Sequence, residues 1–210
     1  MPSQTTPATT RRAAALPGNP RLTRDDWLDA ALRAAIDGGF GAVRVLVLAK
    51  TLGVTRGSFY WHFADHAELI QALIERWYQR EISLDARLGP VQDGQPRAGI
   101  ERVLDSAIAR TAQDRDNGRF EQALRSLASK DAAVAQLLEQ VDRARLGMIH
   151  AHYLALTGDD AMAHELSALL YLAVVGANEA LNRPSANAKL ADYLKATITR
   201  HLIDAPARAG

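Results

Sequence analysis

The sequence predicts an all-α protein: a three-helix, helix-turn-helix DNA-binding head joined to a larger helical body, about nine helices in all. Three observations carry that expectation. Apolar residues recur at helical spacing along most of the chain. The segments between them hold caps and breakers of helices, and no stretch makes a defensible strand. Leu48 to Phe63, LAKTLGVTRGSFYWHF, spells an apolar-faced helix, a glycine turn and a second helix crowded with groups that can contact DNA.

Residues 1–20 contain Pro2, Pro7, Pro17, Gly18 and Pro20 among small polar residues, which predicts a disordered arm. Arg11 and Arg12 either touch a minor groove or belong to a solvated tail. The head is expected over 21–68. Thr23 opens its first helix, with Asp26 completing a capping box in place of Glu. Trp27, Leu28, Ala31, Leu32, Ala35 and Ile36 share one face, Gly38 and Gly39 stop the helix, and Phe40 plugs the space between helices. Val43 to Leu48 alone resembles a buried strand. It is assigned to the opening of the second helix because Ala49, Leu52 and Gly53 follow in register. Gly53 supplies positive φ for the turn, and Thr55 caps the next helix through its hydroxyl.

The body is expected over 69–210. Asp65 and Glu68 predict a capping box for a helix with Leu69, Ile70, Leu73, Ile74 and Trp77, running to about Leu84. Gly89, Pro90, Gly94 and Pro96 predict a loop. Ile100, Val103, Leu104, Ala107 and Ile108 begin the next helix, which Asn117 and Gly118 break. Phe120, Leu124 and Leu127 make a short helix. Asp131 caps a long one, which Gly158 ends. Asp159 opens a helix that is apolar nearly all round, closed by Pro184, so it must be buried by its own chain or a partner. Leu190, Tyr193, Leu194, Thr197, Ile198 and Leu202 line the last helix.

Composition narrows the function classes. The absence of cysteine excludes disulfides and thiolate metal sites and fits a reducing compartment. The apolar run Leu166 to Ala177 is too short for a bilayer, and Met1 to Pro20 lacks a signal-peptide core, so a cytoplasmic protein without membrane partners is expected. Net charge is only +1, yet the residues up to Ala64 hold eight cations against four anions. A basic head on a mildly acidic body suits one end facing phosphates.

From Leu22 to Leu73 the sequence resembles the N-terminal domain of the TetR family of bacterial repressors. The resemblance rests on the helix Trp27–Ile36, Gly39-Phe40, Leu48-Ala49, Leu52-Gly53-Val54, Thr55-Arg56-Gly57-Ser58, Phe59-Tyr60-Trp61-His62-Phe63 and Glu68-Leu69. It implies a DNA-binding head on a body that dimerises and holds a small-molecule pocket. Carried over by position, Thr55, Arg56, Ser58, Tyr60, Trp61 and His62 are DNA-contact candidates, with Arg44, Lys50 and His66 at the flanks. Phe59 and Phe63 are core plugs. Two departures stand out. Arg44 occupies a position usually held by Thr or Ser, where it cannot cap an N-terminus. His66 replaces a common Lys and would hold phosphate well only when protonated.

Arg56 can grip guanine O6 and N7 through its fork. Its other reading is an idle surface arginine. Trp77, Phe120, Arg125, His150, Tyr153, Tyr171 and Asn178 are the candidate ligand-binding residues, polar-tipped or aromatic groups on helices expected to converge. Arg125 could equally pair with Glu121, one turn earlier. Leu166, Leu170, Leu190, Tyr193, Leu194, Thr197 and Ile198 are the candidate dimer interface, formed by about Asp159–Leu181 and Asn187–Leu202 with their twins. No metal site is expected, since His150-x-His152 point in different directions on a helix and His164-Glu165 are adjacent. No catalytic set or cofactor motif is visible, so no enzyme and no cofactor are expected.

The leading expectation is a homodimeric, ligand-responsive repressor, its partners being double-stranded operator DNA, a second copy and an unidentified small-molecule inducer. The alternatives are a helical carrier or enzyme with a vestigial head, and a sequence-indifferent nucleoid-type binder.

Overall fold

The computed structural model describes residues 22–88, 95–113, 115–181 and 188–205. The arm expected over 1–20, with Arg11 and Arg12, and the stop at Pro184 lie outside them. The described residues form α1 (Arg24–Gly38), α2 (Val45–Thr51), α3 (Arg56–Phe59), α4 (His66–Leu88), α5 (Pro96–Gln113), α6 (Arg115–Ala128), α7 (Ala132–Thr157), α8 (Asp160–Leu181) and α9 (Ala188–Ile198). A 3₁₀ turn, Phe40–Ala42, follows α1, and a π-helical stretch, Thr199–Asp204, follows α9. No strand occurs among the described residues.

The helix ends follow local chemistry. Thr23 Oγ1 accepts from the Asp26 amide, and Asp26 accepts from the Thr23 amide, so both halves of the first capping box form. Asp131 accepts from the amides of Ala133 and Val134 at the start of α7. Asp159 accepts from the Met162 amide at the start of α8. Gly53, at φ 69°, turns the chain between α2 and α3, a backbone state that any side chain would resist.

Three expected boundaries move. α4 continues to Leu88, four residues past the expected Leu84. Pro96 opens α5 instead of ending a loop; at a first helical position its missing N–H costs nothing. Asn117 and Gly118 lie inside α6, which opens at Arg115. Asn117 tolerates a helix interior because its side-chain amide donates to Glu81 Oε1 at 2.9 Å.

Two apolar cores hold the molecule together. The first joins Trp27, Leu48, Phe59 and Phe63 of the head to Leu73, Trp77, Phe120, Leu124 and Leu138 of α4, α6 and α7. The second packs Ile100, Leu104, Ile149, Tyr153, Leu170, Ile198 and Ile203 at the other end of α7. Phe40 plugs the junction of head and body, its ring 5.6 Å from that of Phe120. A boundary drawn at 68/69 therefore crosses α4, a helix common to head and body.

Trp27 is completely buried and meets Phe59 edge-on at 5.3 Å. Trp27→Ala should cost about 3–5 kcal/mol through the cavity left behind. Denaturant unfolding followed by far-UV circular dichroism measures it.

Candidate nucleic-acid interface and body cavities

The third helix is too short to stand alone. Regular α geometry lasts one turn, and tighter turns carry the chain to Phe63, as in the Trp61 amide donating to the Ser58 carbonyl. Tertiary packing sets its tilt. Phe59 and Phe63 stack at 5.4 Å on the inside, fully or almost fully buried. The same turns then push Tyr60 and Trp61 outward, and Trp61 is 80% exposed.

Arg44, Lys50, Thr55, Arg56, Tyr60, Trp61 and His66 are exposed, and Ser58 and His62 half-exposed. Arg56 donates to the Tyr60 hydroxyl at 2.8 Å, with its guanidinium 5.7 Å from that ring's centre. The arginine is thus held along the outer surface. Thr55 occupies the N-cap position, but its hydroxyl makes no capping bond, contrary to expectation. Arg44 does not cap α2 either; its Nε donates to the Gly41 carbonyl at 3.1 Å. His66 Nε2 bonds the Val43 carbonyl at 2.6 Å, so that nitrogen joins α4 to the head rather than facing solvent. The second capping box is also altered: Asp65 accepts from the Glu68 amide, while Glu68 reaches past Asp65 to the Ala64 amide. Glu68 also pairs with Arg24 at 3.1 Å.

The stretch Val43 to Leu48, which alone resembles a buried strand and is assigned to the opening of α2, is only partly buried. Val43 and Leu48 are buried, but Leu46 is 65% exposed and Val47 49%. These two apolar side chains extend the head's outer surface. Sequence reasoning missed them because Val45 to Leu48 is apolar at every position and gives no contrast between faces.

Comparison with known proteins matches this geometry. The family model described as "Bacterial regulatory proteins, tetR family" matches residues 28–73. That match covers the head alone, which is similar to the heads of TetR-family regulators. The HTH-type transcriptional regulator TtgR of Pseudomonas putida is 37% identical over 82 residues, 39% of this chain and 39% of that protein. AcrR of Shigella flexneri is 29% identical over 92 residues, 44% of this chain and 43% of that protein. The chain thus matches less than half the length of these relatives. The likeness in fold runs further. A TetR regulator from Haloarcula marismortui superposes with TM-score 0.70 at 16% identity, over 87% of this chain and 96% of that one. A regulator from Saccharomonospora viridis in complex with choline gives TM-score 0.70 at 17% identity, over 85% and 95%.

Behind the head, the body's polar groups form a network that sequence spacing does not reveal. Arg145 of α7 pairs with Glu81 and Asp85 of α4 and with Glu121 of α6. Arg125 pairs with Glu121, as its spacing allowed, and also with Asp142, and lies 3.5 Å from the Tyr171 hydroxyl. Burial alone would raise the Asp142 pKa, but hydrogen bonds from Arg125 and Tyr171 outweigh it and hold the carboxyl below its ordinary value. Burial, reinforced by the hydrogen bond to Asp142, pushes the Tyr171 hydroxyl up to about 12.

The expected ligand residues do not converge. Trp77 and Phe120 line a cavity of about 250 Å³ between α1, α4 and α6. Tyr171 borders a crevice of about 40 Å³ against the ionic network. Tyr153 is wholly buried in the second core. His150 faces Asp160 at the start of α8. The side chain of Asn178 lies outside the described residues. A larger cavity, about 450 Å³, opens between α4 and α7, lined by Tyr78, Ile82, Asp85, Gln140, Met148 and His152 among others. None of these residues was expected from sequence. His152 is 1% exposed, neither ring nitrogen makes a hydrogen bond, and burial followed by the charge of Arg102 lowers its pKa. A Cβ on Gly99 would lie 2.3 Å from its Nδ1, so α5 approaches α7 closely there.

The expected dimer face also needs correction. Leu166, Leu170 and Ile198 are buried in the chain's own second core. Leu194 and Thr197 are half-buried, Tyr193 is 67% exposed, and the Leu190 side chain lies outside the described residues. On α8 the large apolar residues most exposed among the described ones are Leu172 and Leu169, at 65% and 54%, followed by Met162 at 38%.

Asp142 yields a pH prediction. Its depressed carboxyl pKa contributes stability that is complete above the ordinary value of 3.8 and is lost as pH falls through the folded-state value. Asp142→Asn should lower stability at neutral pH and flatten the acid limb below about pH 4. Denaturant midpoints measured across acid pH for both proteins check this.

Proposed function

We propose that the chain is a homodimeric transcriptional regulator, a repressor released from operator DNA by a small molecule. The observation that carries this reading is the turn from Thr55 to His62. Its apolar side closes the head's core, and its outward side presents Arg56, Tyr60 and Trp61 together. A segment so arranged fits a major groove, with Arg56 reading a base edge and Lys50, Tyr60 and His62 meeting phosphates.

One head covers one half-site, and two heads require a dimer. The outward stripe of α8, Leu169 and Leu172, with Tyr193 of α9, is the apolar surface that a second copy would cover. The same outward residues explain why the Asp160–Ala177 stretch is apolar enough to resemble a membrane span while only 22% of it is buried. A dimer would set the heads about 34–36 Å apart, one turn of DNA.

The cavity between α4 and α7 supports a ligand reading. Its walls are largely apolar, with Tyr78, Gln140, Asp85 and His152 as polar handles. The choline complex of the Saccharomonospora regulator supports a small-molecule site in a body of this fold. α4 forms one wall, and its first turn is tied to the head through His66 and Glu68. A ligand that binds better when α4 is tilted would draw the heads out of operator spacing.

Selection of bound duplexes from random DNA tests the reading directly. Recovered sites should be pseudo-palindromic, with half-sites one turn apart; failure to bind any duplex at low salt would overturn it. Arg56→Ala should weaken the selected site by about 1–3 kcal/mol and leave the dimer intact. Leu172→Glu should give a folded monomer in sedimentation velocity and abolish operator binding. A dimeric Leu172→Glu variant would move the interface elsewhere.

A further inference from the structure

The hairpin of α7 and α8 brings together three metal-ligating side chains that are dispersed in the sequence. His150 comes from α7, about two turns before its end. Asp160 and His164 come from the start of α8, one turn apart and therefore on one face. His150 Nε2 lies 3.1 Å from Asp160 Oδ1, and His164 Nδ1 lies 3.5 Å from Asp160 Oδ2. The two imidazole rings are 4.1 Å apart at their centres. One donor atom from each residue falls within 4.8 Å of the other two.

We propose that His150, Asp160 and His164 bind a divalent transition cation of the zinc class. Ligands about 2.0–2.1 Å from a tetrahedral ion stand about 3.3 Å from one another. The contacts at 3.1 and 3.5 Å bracket that separation. The hydrogen-bond alternative is weaker at the inner ligand. His150 Nε2 is enclosed and faces the carboxylate outside hydrogen-bonding geometry. His164 is 68% exposed, and its Nδ1, which lies 3.0 Å from the Asp160 carbonyl oxygen, exchanges that hydrogen bond for the ion. Two imidazoles and one carboxylate favour zinc, nickel or copper over magnesium or calcium, which prefer oxygen ligands. Three protein ligands leave further coordination positions for water or another donor.

The site spans the two helices near the Gly158 turn, beside the second core and away from the head. It rests on no assumption about DNA. A bound ion would cross-link α7 to α8 and stabilise the folded chain by mass action.

The test uses the untagged full-length chain, stripped with a chelator and titrated with Zn²⁺ by calorimetry. One ion per chain should bind and raise the thermal midpoint. Co²⁺ in its place should show the intense visible absorption of a low-coordinate ion. His150→Ala, His164→Ala and Asp160→Asn should each weaken Zn²⁺ by at least about 10-fold, the loss that even an outer partner of a ligand brings. His201→Ala, outside the cluster, should bind as the parent does. Asp160 and His164 are exposed, so their variants keep the fold, and circular dichroism verifies it. Absence of Zn²⁺ binding by the parent chain, or binding unchanged in all three ligand variants, overturns the proposal.

Discussion

The burial of Phe59 is the constraint on which the head depends. It is the last residue of a helix only one turn long, whose backbone hydrogen bonds cannot hold a direction by themselves. Trp27 meets its ring edge-on, Phe63 stacks on it, and both neighbours are buried. With that ring and Phe63 seated in the core, Arg56, Tyr60 and Trp61 are left on the exposed side of the segment. Arg24 adds a second fastening, its guanidinium 4.5 Å from the Phe63 ring centre while it pairs with Glu68. The surface offered to solvent is thus a consequence of the core behind it.

α4 carries this order into the body by two different kinds of contact. Its first turn is bonded to the head, by His66 to the Val43 carbonyl and by Glu68 to the Ala64 amide. Its later turns bring Glu81 and Asp85 to Arg145 of α7. Apolar packing resists sliding through the voids and clashes it would create, without fixing any one pair of groups. A buried ion pair fixes the register further, because moving one partner away strands a charge in a poorly solvated place. Glu81 is completely buried, so the seat of α4 against α7 is well defined.

What was legible in the sequence was local. The boxes and caps at Thr23 and Asp131 and the turns at Gly53 and Gly158 involve neighbours a few residues apart, and each appears where its residue types predict. The Arg125–Glu121 pair was legible for the same reason. Phase was not legible in α8. Leu166 and Leu170 are core, while Leu169 and Leu172 face out, and a helix that is apolar all round gives no contrast to tell them apart. Nor could spacing foresee the network of Glu81, Glu121, Asp142 and Arg145, or the cavity between α4 and α7. Those depend on how helices distant in sequence cross. His150 shows the same limit: its meaningful neighbour is His164, across the hairpin, and not His152 on its own helix.

These contacts also restrict how any signal could reach the head. The first core holds the head, α4, α6 and the early turns of α7, whereas the second holds α5, the later turns of α7, α8 and α9. Among these helices α7 contributes to both cores, and α4 is both hydrogen-bonded to the turn ahead of α2 and ion-paired to α7. A molecule entering between α4 and α7 therefore lies between the helix fastened to the head and the helix that spans both cores. Close packing resists partial adjustments, and an ionic network resists them more, since half-broken pairs leave buried charge uncompensated. Under the proposed function, α4 then has two seats rather than a continuum. The affinity a ligand gains in the tilted seat sets an upper bound on how far it can shift the heads.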